Sequence, residues 1–284
     1  MYTEGGISGL RAFEQVAGDH GIECTQVFNA SATTWQQWSH PFPVATTQPN
    51  MNWAAWVHAD PGRQLILSQS LIPLGMEGQP WLSLGSRGAY TRYAVALAHD
   101  LINAGLGRIV IRLAPEANGT WEPYSLPSTA AGLEQWREFW RRTVEAMRSV
   151  PGAHFAFEWD VNALVRPTPL SSFYPGDDVV NIIGIDAYEP VTYHGGWSYL
   201  DHGADGVGSV ARFAKARGKP LSVPEWGAVS SAPSVGAPYI RGLADVLRDQ
   251  RSAYECYFFA RQYETAITAS PTLKAVYRKS FAHQ

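Results

Sequence analysis

The chain has 284 residues with 22 Lys+Arg against 25 Asp+Glu, a formal net charge of −3. It therefore lacks the basic excess that a nucleic-acid binder gathers on one face, and no nucleic-acid partner is expected. Charged residues make up 17% and hydrophobic ones 45%, unlike the apolar-poor, strongly charged composition of a disordered chain. The longest apolar runs, such as Ile182-Ile183-Gly184-Ile185, fall far short of the ~20 residues that a membrane-spanning helix needs, so no membrane partner is expected either.

Taken in chain order, short β-rich runs alternate with amphipathic stretches from one end to the other. Met1–Gly6 is a short first strand candidate, followed by Glu23–Asn29, Gln64–Gln69, Arg108–Leu113, His154–Trp159, Val180–Asp186, Pro220–Glu225 and Tyr254–Ala260. Several are apolar nearly throughout, as expected of strands covered on both faces. Helices are expected at Arg87–Ala104, Ala130–Arg148, Gly208–Arg217, Tyr239–Arg251 and Pro271–Phe281. Ala130–Arg148 has the clearest amphipathic spacing, with Leu133, Trp136, Phe139, Trp140, Val144 and Met147. Eight strands alternating with helices predict an α/β fold, a single (β/α)8 TIM barrel using residues 1–284 as one domain. Gly5-Gly6-Ile7-Ser8-Gly9 lacks the G-x-G-x-x-G spacing of a dinucleotide loop. Cys24 and Cys256 read as two buried thiols acting as small hydrophobes rather than as a bridge.

In such a barrel the chemistry lies at the C-terminal strand ends. The fourth strand runs out through Arg112 into Pro115-Glu116-Ala117-Asn118-Gly119-Thr120-Trp121, and the seventh ends Pro224-Glu225-Trp226-Gly227. These ends are expected to face each other across the barrel mouth. A single strand-end Glu is usually solvated or salt-bridged, but two opposed ones beside Trp, Asn and Gly suit acetal cleavage. That reaction needs one carboxyl to protonate the leaving oxygen and one to meet the oxocarbenium ion. Eleven tryptophans offer flat rings for the apolar faces of sugars. Trp35 and Trp38 follow the second strand, Trp121 the fourth, Trp159 ends the fifth and Trp226 follows the seventh. Trp136 and Trp140, four apart on a helix, read as packing instead. Arg112 reads as either a substrate ligand or a partner in an ion pair inside the barrel. His40, His58, His194 and His202 have no metal-ligand spacing, so no metal or other cofactor is expected. Asn29-Ala30-Ser31 and Asn118-Gly119-Thr120 have the form of glycosylation sequons; the second is discounted, because a glycan there would block the mouth.

Three segments carry a resemblance to glycoside hydrolase family 26. Arg112–Trp121 resembles that family's R-P-x-H-E-x-N-G-x-W acid/base segment. Tyr174–Tyr188 resembles its Y-P-G-D-x-Y-V-D-x-x-G-x-D-x-Y, and Lys219–Gly227 its K-P-x-x-x-x-E-x-G nucleophile strand. The similarity spans residues 85 to 230 or so. It implies a retaining clan A enzyme in which Glu116 is the general acid/base and Glu225 the nucleophile. Arg112, Asn118, Trp121 and Tyr188 fall on matching cleft-lining positions, Asp186 stands at the matching D of the Y-P-G-D segment, and Asn162 matches a residue after strand five. Pro115 replaces the family's His, and strand eight ends Phe258-Phe259-Ala260-Arg261 without the Trp common in the clan. These differences leave the sugar open between β-mannan and another, branched or furanose-containing polysaccharide.

The expectation is thus an endo-acting, retaining glycoside hydrolase working by double displacement on a polysaccharide or oligosaccharide. Its substrate-binding set is Arg112, Asn118, Trp121, Trp159, Asn162, Asp186, Tyr188, Trp226, Trp35 and Trp38. The alternatives are a non-catalytic saccharide-binding or host-recognition module of a larger secreted or phage-tail protein, and a transglycosylase using the same residues. The expected setting is extracellular, cell-surface or virion-associated, as a monomer or as a module of a larger chain. No signal-peptide pattern is read at the N-terminus.

Overall fold

The structure, a computed structural model, describes residues 1–18, 22–41, 44, 46–165, 168–189, 196–250, 252–260 and 265–281. His194, Arg251 and Arg261 lie outside them. The eight strands are β1 (Tyr2–Thr3), β2 (Cys24–Asn29), β3 (Gln64–Gln69), β4 (Val110–Leu113), β5 (Ala156–Asn162), β6 (Ile182–Asp186), β7 (Leu221–Trp226) and β8 (Tyr254–Phe259). They form one sheet in the order β1-β8-β7-β6-β5-β4-β3-β2. The Gln26 N–H of β2 donates to the Met1 carbonyl just before β1, at 2.8 Å. Helices α1 (Gly6–Ala17), α2 (Trp35–Ser39), α3 (Trp53–His58), α4 (Trp81–Gly85), α5 (Thr91–Asn103), α6 (Ala130–Arg148), α7 (Leu170–Phe173), α8 (Gly196–His202), α9 (Val207–Ala216), α10 (Pro233–Gln250) and α11 (Pro271–Phe281) alternate with the strands, and the fold is a (β/α)8 barrel. Among the described residues no helix is long and apolar enough to cross a membrane.

The chain divides into two compact units. The first comprises residues 1–26, 163–167 and 183–284. Its parallel register is set by Tyr2↔Phe258, Ser222↔Tyr254 and Ile183↔Leu221. The β7–β8 register shifts between Val223 and Trp226, around Pro224, which has no N–H to give to a ladder. Helices α1, α9 and α10 pack on these strands, and α11 packs on α1 and α10. Helix α11 has the expected bounds, whereas α10 begins six residues before the expected Tyr239. It runs through Pro238, which forfeits one backbone hydrogen bond. Helix α1 was not expected, because its glycine-rich start reads as a loop. Gly5 and Gly6 adopt left-handed φ of 86° and 62°, turning the chain directly out of β1 into the helix. Gly9 is required there, since a Cβ would stand 2.1 Å from the Glu4 carbonyl oxygen.

The second unit comprises residues 27–162 and 168–182. Strands β3, β4 and β5 run parallel in register, with Ser68↔Arg112 and Arg112↔Glu158. Helix α6 (Ala130–Arg148) has the expected bounds and is capped by the Thr129 hydroxyl, which accepts from the Gly132 N–H. It buries Trp136, Phe139, Trp140, Val144 and Met147. The Y-P-G-D segment is held by this helix. Arg141 grips the Asp178 carboxylate with two bonds of 2.8 and 2.7 Å and donates to the Pro175 carbonyl at 3.0 Å. Arg148 donates to the Asp178 and Val179 carbonyls and to the Asn181 side chain. The Arg141 bond holds the Asp178 carboxyl down at about 2.

Candidate active site

Side chains alternate across a strand, and this rule sorts the strand-end residues. On β5, Glu158, Asp160 and Asn162 share one face, while Trp159 takes the other and packs on Phe173 and Tyr174 at 5.1 Å. Arg112 of β4 meets the first of these faces. It pairs with Asp160 at 2.7 Å and donates to Ser68 Oγ at 3.2 Å, with both members of the ion pair fully buried.

Beyond β4 the backbone turns sharply. Ala114 and Glu116 both adopt left-handed φ, 57° and 53°, a conformation that costs non-glycine residues of order 1–3 kcal/mol. Hydrogen bonds from the surroundings hold it in place. Ala114 N donates to Gln69 O (2.8 Å), Trp140 Nε1 to Leu113 O (3.0 Å) and Tyr124 OH to Pro115 O (3.1 Å). The Glu116 carboxylate thereby projects to two donors. Asn162 Nδ2 bonds its Oε1 at 2.5 Å, and Trp121 Nε1 its Oε2 at 2.8 Å. Trp121 is 52% exposed, the most open large apolar side chain among the described residues. Gly119 makes room for it, as a Cβ there would lie 2.5 Å from the indole ring. Asn162 is itself clamped by Asn118. The Asn118 amide donates to Asn162 O and accepts from Asn162 N, both at 2.8 Å.

In the first unit, Glu225 near the end of β7 is half-buried and likewise engaged at both oxygens. Tyr188 OH donates to its Oε2 at 3.0 Å, and Gln26 Nε2 to its Oε1 at 3.4 Å. The backbone behind it is laced to the exit of β6. Ala187 N donates to Glu225 O (2.9 Å), Glu189 N to Gly227 O (3.3 Å) and Val229 N to Glu189 Oε2 (2.7 Å). Glu189 is 6% exposed, and burial raises its carboxyl to about 7. Its Oε1 has no hydrogen-bond partner among the described residues.

Several expectations are corrected. Trp38, Trp159 and Trp226 are sealed in the interior and show no ring face to a ligand. Trp226 follows Glu225, so alternation turns it to the helix side, against Tyr239, Tyr257, Tyr277 and Phe281. Its Nε1 donates to Glu255 at 2.5 Å. Trp38 donates to the Ser70 carbonyl at 2.8 Å. Arg112 is the interior ion-pair partner, not an open ligand. Asn118, 2% exposed, holds Asn162 instead of lining a cleft. Asp186 is fully buried at the end of β6, with a carboxylate oxygen within 4.8 Å of one of Glu225. Trp35 is half-buried and stacks on Tyr90 and Tyr93 at 4.3 and 4.9 Å. Both sequon asparagines are buried, so neither is open to a glycan. Cys24 and Cys256 are free thiols 4.0 Å apart, Cys256 buried as expected but Cys24 only half-buried. Gln26 and Glu189 were not singled out by sequence; a lone Gln in a β-rich run carries no chemical signature.

The (β/α)8 barrel is a scaffold shared with solved structures of other proteins. An endo-β-1,4-mannanase of Cellulomonas fimi, a double mutant, superposes with TM-score 0.67 at 19% identity over 95% of this chain. A GH26 β-mannanase of Bacteroides ovatus does so with TM-score 0.61 at 16% identity, covering 95% of this chain and 91% of that one. A Bacillus subtilis mannanase matches with TM-score 0.65 at 14% identity, covering 98% and 83%. The chain spans 65% of the length of the Cellulomonas fimi protein. Residues 92–281, well over half the chain, match the model of glycosyl hydrolase family 26. The chain belongs to that family.

Proposed function

We propose that this chain is a retaining, endo-acting glycoside hydrolase that cleaves a polysaccharide by double displacement, residues 1–284 acting as one catalytic domain. The observation that carries the reading is the paired setting of the two glutamates. Each ends or follows a strand, on the face where a (β/α)8 barrel does its chemistry, and each has both carboxylate oxygens engaged by side-chain donors. Family membership and the matching motif positions of Glu116 and Glu225 support the same roles.

In the first step Glu225 attacks the anomeric carbon as the glycosidic C–O bond breaks, and Glu116 passes its proton to the leaving oxygen. In the second step Glu116 takes a proton from water, whose oxygen displaces Glu225 from the sugar. Phenol and amide donors on Glu225 hold its two oxygens in position, as a nucleophile needs. Trp121 is placed both to orient Glu116 and to offer an exposed ring face to a sugar. The related structures named as mannanases make β-mannan the first substrate to test. Pro115, in place of the family's His, removes one polar contact and makes other or branched polysaccharides the next. Action at a cell surface or outside the cell, as a monomer or a module, fits such a substrate.

The test is a polysaccharide panel with product sizing, run on the wild type, Glu116→Gln and Glu225→Gln. Wild type should release internal-cleavage oligosaccharides from at least one polymer. Glu225→Gln should abolish turnover while saccharide binding persists, and Glu116→Gln should lose about 10²–10⁴-fold. Undiminished activity in Glu225→Gln would overturn the assignment.

A further inference from the structure

We propose that Cys24 and Cys256 form an oxidisable pair, which a small-molecule disulfide such as oxidised glutathione converts into an intrachain bridge tying β2 to β8. The two thiols are 232 residues apart in sequence, yet their Sγ atoms lie 4.0 Å from each other. The strand register brings them together. Cys256 stands two residues before Phe258, the partner of Tyr2 in β1. Cys24 stands two residues before Gln26, whose N–H bonds the Met1 carbonyl. Both side chains therefore sit at the same level, at the start of the strand that β2 and β8 flank. A disulfide needs its sulfurs at about 2.05 Å, so closure asks for about 2 Å of approach, within reach of side-chain rotation and small strand adjustment.

The two thiols are unequal in a way that sets the order of events. Cys24 is half-buried and Cys256 fully buried. The hydrogen bond between them holds the Cys24 thiol below the ordinary thiol range against its burial. Burial pushes the Cys256 thiol well up. Cys24 is thus the entry point and Cys256 the resolving thiol. The Cys24 thiolate attacks one sulfur of the small disulfide, forming a mixed disulfide and releasing one small thiolate. Cys256 then attacks the Cys24 sulfur, releasing the second small thiol, and its proton goes to a departing thiolate. In sum, two protein thiols are oxidised to one disulfide and one small disulfide is reduced to two small thiols. A bridge closing so long a segment constrains the unfolded chain, so the oxidised form should melt at a higher temperature. Nothing in this depends on the proposed hydrolase reaction.

The experiment incubates the folded chain with excess oxidised glutathione at pH 8 and follows intact mass, thiol count and Tm. Expected are a loss of two hydrogens (about 2 Da) without adduct, disappearance of both alkylatable thiols and a crosslinked peptide joining residues 24 and 256. The Tm should rise on oxidation and return on reduction. Cys256→Ala should stop at one stable glutathione adduct on Cys24, whereas Cys24→Ala should stay unmodified while folded. A wild type that keeps both thiols, carries a stable adduct or crosslinks only between chains would overturn the proposal.

Discussion

Replacing Asn118 with Ala probes the support of Glu116 without touching the carboxylate. It deletes the two 2.8 Å bonds that fix the Asn162 backbone and strands one N–H and one C=O beside a residue that is 2% exposed. Each stranded group costs about 1–3 kcal/mol, and because the half-buried Asn162 leaves room for water to recover part of this, the sum should be about 2–4 kcal/mol. The Asn162 amide then loses its anchor on Glu116 Oε1, and misplacing a group around a catalytic carboxyl should lower kcat/KM by about tenfold or more. Urea-unfolding midpoints give the first quantity, and initial rates on the polymer identified by the panel give the second. Asn118→Asp keeps the acceptor for the Asn162 N–H but cannot donate to its carbonyl, so it should lose about half as much stability. The stability cost should persist in an Asn162→Ala background, because the partners are backbone atoms, while the activity losses should not add. An Asn118→Ala variant within about 0.5 kcal/mol of wild type and equally active would refute the reasoning.

Gly119→Ala should drive a methyl into the Trp121 ring and pull the indole from Glu116, lowering kcat about 10-fold or more while the unfolding midpoint moves little. Glu189 titrates in the folded chain at about 7, above the 4.5 ordinary for a glutamate, so the folded state binds the extra proton between those values. Stability should therefore fall as pH rises from 4.5 through 7, by up to about 3 kcal/mol, and Glu189→Gln should flatten that dependence in urea titrations at pH 5 and 8. Arg141→Ala should cost about 1 kcal/mol, because its Asp178 partner is largely exposed; high salt should shrink the difference from wild type in thermal melts.

The strands were legible because buried parallel strands are apolar along nearly their whole length, and Gln64–Gln69 was read to the residue. Ala130–Arg148 and Pro271–Phe281 were equally plain, each marked by a capping hydroxyl or proline beside a regular apolar spacing. Helix α1 was hidden by Gly5, Gly6 and Gly9, whose flexibility reads as loop until the close approach of the Glu4 carbonyl is seen. At the candidate site, the motifs picked out Glu116, Glu225, Trp121, Asn162 and Tyr188. What they missed was side-chain direction. Trp159 and Trp226 each sit one residue from an inward-facing acid, and strand alternation alone sends them to the helices. Asn118 shares a motif with Glu116, but its role runs through the backbone of a residue 44 positions away, a pairing that no local pattern announces.

The central claim, that Glu225 forms a covalent glycosyl intermediate which Glu116-activated water then releases, is tested most directly by the anomeric configuration of the first product. Proton NMR during the opening minutes of a reaction on the identified polymer, before mutarotation, reads it. The account predicts a new reducing end with the configuration of the cleaved bond. A first product of opposite configuration would mean a single displacement by water and would contradict it.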